Sequence, residues 1–207
     1  MTERQARRRI RAAERRSLRI VLRRLERAVG WWRLPGLLAE VVAADDPFVG
    51  LGRPASAEER LSRRQMRRAV TLYRALRRRD VSDALEAVTD VAVAVGTEFL
   101  RLAIPSRDEL EQRLDQVTPE EMATEILERF FNAAGRIRHA DASRLRVDIV
   151  RCRFVELCAA LDVSELAPAF CASDLAFFRR PEAPLRLERT TTLAQDGAVC
   201  DFDFRRT

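Results

Sequence analysis

Cys171 and Asp174 stand three residues apart in the stretch FCASDLAFF. On a helix that spacing stacks a thiol and a carboxylate on one face. Such a pair suits a thiol that acts as nucleophile or acid while the carboxylate handles its proton. A helical cysteine followed by a capping or solvated aspartate leaves the same string, so both readings stand on spacing alone. Cys200 shares a strand face with Phe202 and Phe204 and by itself passes for core. Cys152 and Cys158 lie among Phe154, Val155, Leu157 and Leu161. Free cysteine is one of the most buried residue types, so core packing is expected for both. The interval from Cys152 to Cys158 is too wide for a zinc knuckle, and the single histidine, His139, sits in the polar stretch RIRHADAS and reads as surface. No metal site and no cofactor are therefore expected.

These residues need elements to hold them. Residues 6–32 place Leu18, Val21, Leu22, Leu25, Val29 and Trp32 at three- and four-residue steps, the period of one helical face, with arginine covering the other. Prolines and glycines at 35, 36, 47, 50, 52 and 54 then predict a loop with at most one short helix in its middle. Ser56 and Glu59 form a capping-box pattern opening a helix to residue 79, and a second helix is expected from 82 to 99. The middle of that helix, VTDVAVAVG, is almost uncharged and dense in β-branched residues, so it reads as a central buried helix with a strand as the alternative. Shorter helices are expected at 107–117 and 118–134, and at 152–161 and 164–178. Alternation of Leu145, Val147 and Ile149 with polar residues predicts a strand, and residues 185–193 and 198–204 read as a terminal strand pair around Gln195, Asp196 and Gly197. The expected fold is α+β: a mainly helical body with a small antiparallel sheet formed by C-terminal strands. The expected organisation is a basic amphipathic helix at 1–33, a connecting segment at 34–56 and one α+β domain at 57–207.

The net charge of +6 is unevenly placed. Residues 1–33 hold 12 arginines against Glu3, Glu14 and Glu26, so the rest of the chain is net acidic. All 38 basic residues are arginine, a bias read as compositional rather than as a need for guanidinium forks. The N-terminal helix carries no helix-turn-helix turn, zinc finger or aromatic strand motif, so nucleic acid is not expected as a partner, nor is a membrane. Its expected use is docking by the leucine stripe, with a homo-oligomer or a partner protein on residues 1–33 as the alternative. No run of apolar residues is long enough for a span, and arginines run through the first thirty positions where an export signal would be apolar. A soluble, cytoplasmic protein with reduced thiols is expected.

Cys171 and Asp174, followed by LERTTTLAQDGAVCDFDF with Arg189, Thr190, Thr192, Leu193, Gly197, Cys200, Asp201 and Phe202, resemble the C-terminal signature of the L-2-amino-thiazoline-4-carboxylate hydrolase family. The resemblance is specific over about residues 150–205, weaker around RAVTLYRALRRRDVSDALEAV, and does not cover residues 1–50. It implies that the terminal strand pair is one wall of a small-molecule site, bringing Cys200 towards Cys171. It further implies cofactor-independent hydrolysis of a carboxylate-bearing cyclic isothiourea, with Cys171, Asp174 and Cys200 at the reacting centre. In that picture Asp174 holds the amidine-like nitrogens, a Cys171 thiolate or a water attacks, and Arg189 meets the substrate carboxylate with Thr190, Thr192 and Asp201 assisting. The arginine-rich N-terminus fits a specialised member working in a biosynthetic pathway. The other readings are a ligand-binding or thiol and metal sensor using the same cysteines, and a helical interaction protein acting through residues 1–33.

Overall fold

The computed structural model describes residues 2–206. Eight α-helices and four strands follow in the order α1 (Glu3–Val29), α2 (Leu34–Ala43), α3 (Ala57–Arg78), α4 (Ala84–Ala103), α5 (Arg107–Leu114), α6 (Pro119–Leu127), β1 (Ala133–Ala140), β2 (Arg144–Cys152), α7 (Arg153–Ala160), α8 (Ala167–Phe178), β3 (Leu185–Glu188) and β4 (Cys200–Arg206). The strands form one antiparallel sheet in the order β1-β2-β4-β3, giving the α+β fold that the periodicity predicts. Among the described residues no helix is long and apolar enough to cross a membrane.

The helix starts follow local chemistry. Thr2, Ser106 and Thr118 each close a capping box with Gln5, Glu109 and Glu121, and the Ser56 hydroxyl accepts from the Glu59 N–H at 3.1 Å. The almost uncharged stretch of residues 88–96 is helical, inside α4, and α4 packs between α1 and α8. Its density of small residues lets both neighbours come close. At Gly96 a Cβ atom would lie 2.2 Å from the Ser173 hydroxyl oxygen, so only glycine admits α8 at this distance. Ser173 donates to the Ala92 carbonyl at 3.0 Å, fixing the crossing.

Three local expectations give way. The face of α1 that docks is not the leucine stripe throughout: Ala6, Ile10, Ala13 and Ser17 are buried, whereas Leu18 and Trp32 are 53% and 62% exposed. Small side chains win there because they let α1 approach α4, where Ala6, Ile10 and Ala13 meet Phe99, Ala103 and Phe131. The one short helix allowed in the middle of the 34–56 connection lies instead at its start, as α2, and Leu37 joins Leu25, Val29 and Phe48 in the main core with α3 and α4. The stretch RIRHADAS, expected as a polar turn after a helix running to 134, holds most of β1, because α6 stops at Leu127 and the chain then pairs with β2. One apolar residue within its exposed half, Ile137, gives no alternation to read, and irregularities at 134/135 and 137/139 shift the register. His139 lies on this strand, exposed, 2.7 Å from the Asp141 carboxylate.

Candidate active site

The site forms where α8, the end of β2 and the start of β4 converge. Pairing of Ile149 with Cys200 and of Val147 with Phe202 puts the start of β4 beside the buried face of β2. Helix α8 lies across α4 next to this sheet, and Cys171, Asp174, Cys200 and Phe202 all line a single cavity of about 300 Å³. Cys152 lines it too. Sequence reasoning assigned that thiol to the core, since its neighbours Phe154, Val155 and Leu157 are apolar. The overlooked signal is its position, at the junction where a strand pattern gives way to a helix, which makes it the N-cap residue of α7.

Asp174 is the chemically distinctive group. A quarter of its side-chain surface is accessible, 25%, and it opens on the cavity. Burial raises its carboxyl to about 6, against the pull of Arg189. Arg189 Nη1 lies 3.5 Å from Asp174 Oδ2, too poorly placed for a hydrogen bond, and it has no other hydrogen-bond partner. The carboxylate therefore accepts no hydrogen bond from any described residue and keeps both oxygens available to a bound molecule.

The thiols are protonated at neutral pH. Burial pushes Cys171 up to about 12, and the neighbouring Asp174 adds to the shift while Arg189 opposes it. Burial also raises Cys152, but the Val155 and Phe154 N–H groups at the start of α7 pull the other way. Cys200 is raised by burial as well, opposed by the Leu193 N–H, 3.2 Å from its sulfur, and by Arg189. Cys158 faces away from the cavity, pushed to about 12 by burial. All four cysteines are free, and among the described residues no group of three or more His, Cys, Asp or Glu side chains converges as a metal site would require.

The remaining residues of the C-terminal signature build the loop that carries Cys200. The Asp201 carboxylate accepts from the N–H and hydroxyl groups of both Thr190 and Thr191, at 2.6 to 3.1 Å. Burial works to raise Asp201, yet these bonds outweigh it and hold its carboxyl at about 2. The Thr192 side chain meets Gln195, and its carbonyl accepts from Gly197, where a Cβ would come within 2.8 Å of that oxygen. Thr190, Thr192 and Asp201 do not line the cavity. Arg189 stands one layer behind it: its side chain is 7% exposed, Nη2 donates to the Cys171 carbonyl at 3.1 Å, and the guanidinium lies 5.7 Å over the Phe202 ring. The loop clasp thus ties the strand pair to α8 through Arg189 and sets Cys200 opposite Asp174's helix.

A carboxyl titrating near neutrality, free to accept, in a cavity with three protonated thiols can bind an amidine-like group and move a proton to or from it. Neither curated proteins nor solved structures give a match to this chain. A family model described as L-2-amino-thiazoline-4-carboxylic acid hydrolase matches residues 60–204, which include α8, the sheet and every cavity residue outside α1 and α2. The chain belongs to the L-2-amino-thiazoline-4-carboxylic acid hydrolase family.

Proposed function

We propose that the chain hydrolyses a cyclic isothiourea of the aminothiazoline type, with Asp174 as the group that binds its amidine-like nitrogens and relays the proton. Pairing of the protonated ring with the carboxylate leaves the carbon between sulfur and nitrogen electron-poor. Water adds to that carbon, giving up one proton to the Asp174 side, and the carbon's bond to ring sulfur or ring nitrogen then breaks as the proton is returned to the departing atom. One water is consumed, and a carbamoyl group is left on the opened chain. A thiol near pKa 12 yields its proton only as attack occurs, so water activated by Asp174 is the attacking group favoured over a resting Cys171 thiolate. Cys171 and Cys200 then flank the reacting carbon, and Arg189 acts through Asp174 by holding its charge.

The observation that supports this reading best is the Asp174 carboxyl itself, raised to about 6 and hydrogen-bonded to no described residue. Incubating the purified chain with 2-aminothiazoline-4-carboxylate and reading product mass tests it: a gain of one water, absent with Asp174→Asn, is expected. Turnover at an undiminished rate in Asp174→Asn removes the assignment. Three thiols lining one cavity also support a second reading, a thiol-based sensor. Their raised pKa values oppose it, since the thiolate is the form that oxidises. A Cys171 to Cys200 disulfide formed stoichiometrically under mild peroxide would favour that alternative.

A further inference from the structure

The cavity is much larger than the corner that holds Asp174. From there its wall runs past Val95 and Phe99 on α4 to Leu18, Val21 and Leu22 on α1. Leu18 and Arg68 are the only lining residues exposed to solvent, so they mark its outer end, between α1 and α3. Between those ends the lining is almost wholly aliphatic and aromatic, with no charged side chain on α4 and none on the sheet, whose only ionisable lining groups are the thiols of Cys152 and Cys200. A single small ring bearing an amino group and a carboxylate would occupy the Asp174 corner and leave the rest empty or wet. A space of about 300 Å³ is the size that encloses a drug-sized molecule. Leaving so much apolar wall without a partner forgoes contacts that a matching substrate would supply.

We infer that the substrate carries an extended apolar substituent: an aminothiazoline-type head at Asp174 with a hydrocarbon or aromatic tail lying along α4 and reaching the Val21 and Leu22 side of α1. This rests on the hydrolase reading for the identity of the head, and it assigns α1, which lies outside the family match, to substrate selection. Glu14, Gln65 and Arg68 gather at the outer end, where the tail's far terminus meets water. The Gln65 carbonyl oxygen there is buried with no hydrogen-bond partner, and a donor on that terminus would satisfy it.

The test uses the full chain and a series of aminothiazolines, unsubstituted and carrying butyl, hexyl and octyl groups. The expected result is a kcat/KM that rises about threefold to fourfold for each methylene buried. In Leu22→Trp, which fills the far half of the cavity, the ratio of octyl to unsubstituted kcat/KM collapses towards one. Val21→Phe is the milder second filling variant should Leu22→Trp fail to fold, with thermal melting as the check on both. Equal or better turnover of the bare ring across the series, with no change of that ratio in the filled variants, overturns the inference and leaves the hydrolase reading in place. If no ring is turned over, the hydrolase reading fails, and calorimetric binding of S-octyl against S-methyl isothiourea decides the inference alone. Chain-length-dependent binding that Leu22→Trp removes supports it, and binding independent of chain length sinks it.

Discussion

The two ends of the cavity are built in opposite ways. At the inner end α8, β2 and β4 supply a carboxylate and three thiols, each pushed up from its ordinary ionisation by burial, with the Arg189 side chain behind them. On the other side α1 and α2 supply apolar surface, with Glu14 the single charged side chain they contribute to the lining. The inner end lies wholly within the family match and the α1 and α2 wall wholly outside it. Chemistry and selectivity are thus carried by different stretches of chain, and changes at one end should alter kcat while changes at the other alter packing or preference.

The largest effect is expected from Asp174→Asn, which should cut kcat by about 10²–10⁴-fold while circular dichroism shows a folded protein. In the unaltered chain kcat/KM should climb with pH through about 6 and level off above it, as the carboxylate form accumulates. A profile flat across that range would show that the two ends do not differ in the way described. The same shift has a stability consequence. The folded-state value of about 6 lies above the unfolded 3.8, so Asp174's contribution is fully present below pH 3.8 and lost as pH rises to about 6, by no more than ~3 kcal/mol. Urea unfolding of the chain and of Asp174→Asn across that window isolates this contribution.

Next in size is Leu25→Ala. Leu25 is 2% exposed in the main core, and its truncation should cost about 2–5 kcal/mol in urea unfolding. A cost under ~0.5 kcal/mol would mean that α1 is an appendage rather than a wall. Gly96→Ala sharpens the positioning of the inner end: the added methyl meets Ser173 and should destabilise by about 1–3 kcal/mol, lowering kcat as α8 shifts. Breaking the clasp with Asp201→Ala should cost a similar ~1–3 kcal/mol and reduce kcat through a displaced Arg189. The smallest effect belongs to Arg24→Ala, at the margin where α1 meets α4. Its ion pair with Asp90 is largely solvated, and the loss should stay within ~1 kcal/mol by thermal melting.

How far the sequence carries depends on whether a feature is local. The helix starts at Ser56 and Thr118, the period of α3 and the alternation of β2 depend on neighbours within a few residues, and the structure has these features where the patterns put them. Strand β1 was hidden because its partner, not its own composition, makes it a strand. At the site, the residue types in the terminal signature were visible, but spacing could not separate Asp174, which faces the cavity, from Asp201, which the loop's own donors occupy. Nor could it show that Cys152, fifteen or more residues from either partner, reaches the same space, or that small residues rather than leucines seat the first half of α1. Those facts belong to packing between distant segments.

The sheet ends on both sides in strands that resist company. The outer strand β1 is irregular in register and carries Arg136 and Arg138, while β3 is four residues long with Arg186 and Glu188 pointing to solvent. A second molecule laying its own backbone along β1 would meet the guanidinium groups of Arg136 and Arg138 and a kinked ladder, and along β3 it would find only four residues with charged side chains among them. Both margins are thus built against edge-to-edge pairing, a safeguard suited to a chain whose interior is so rich in oily surface.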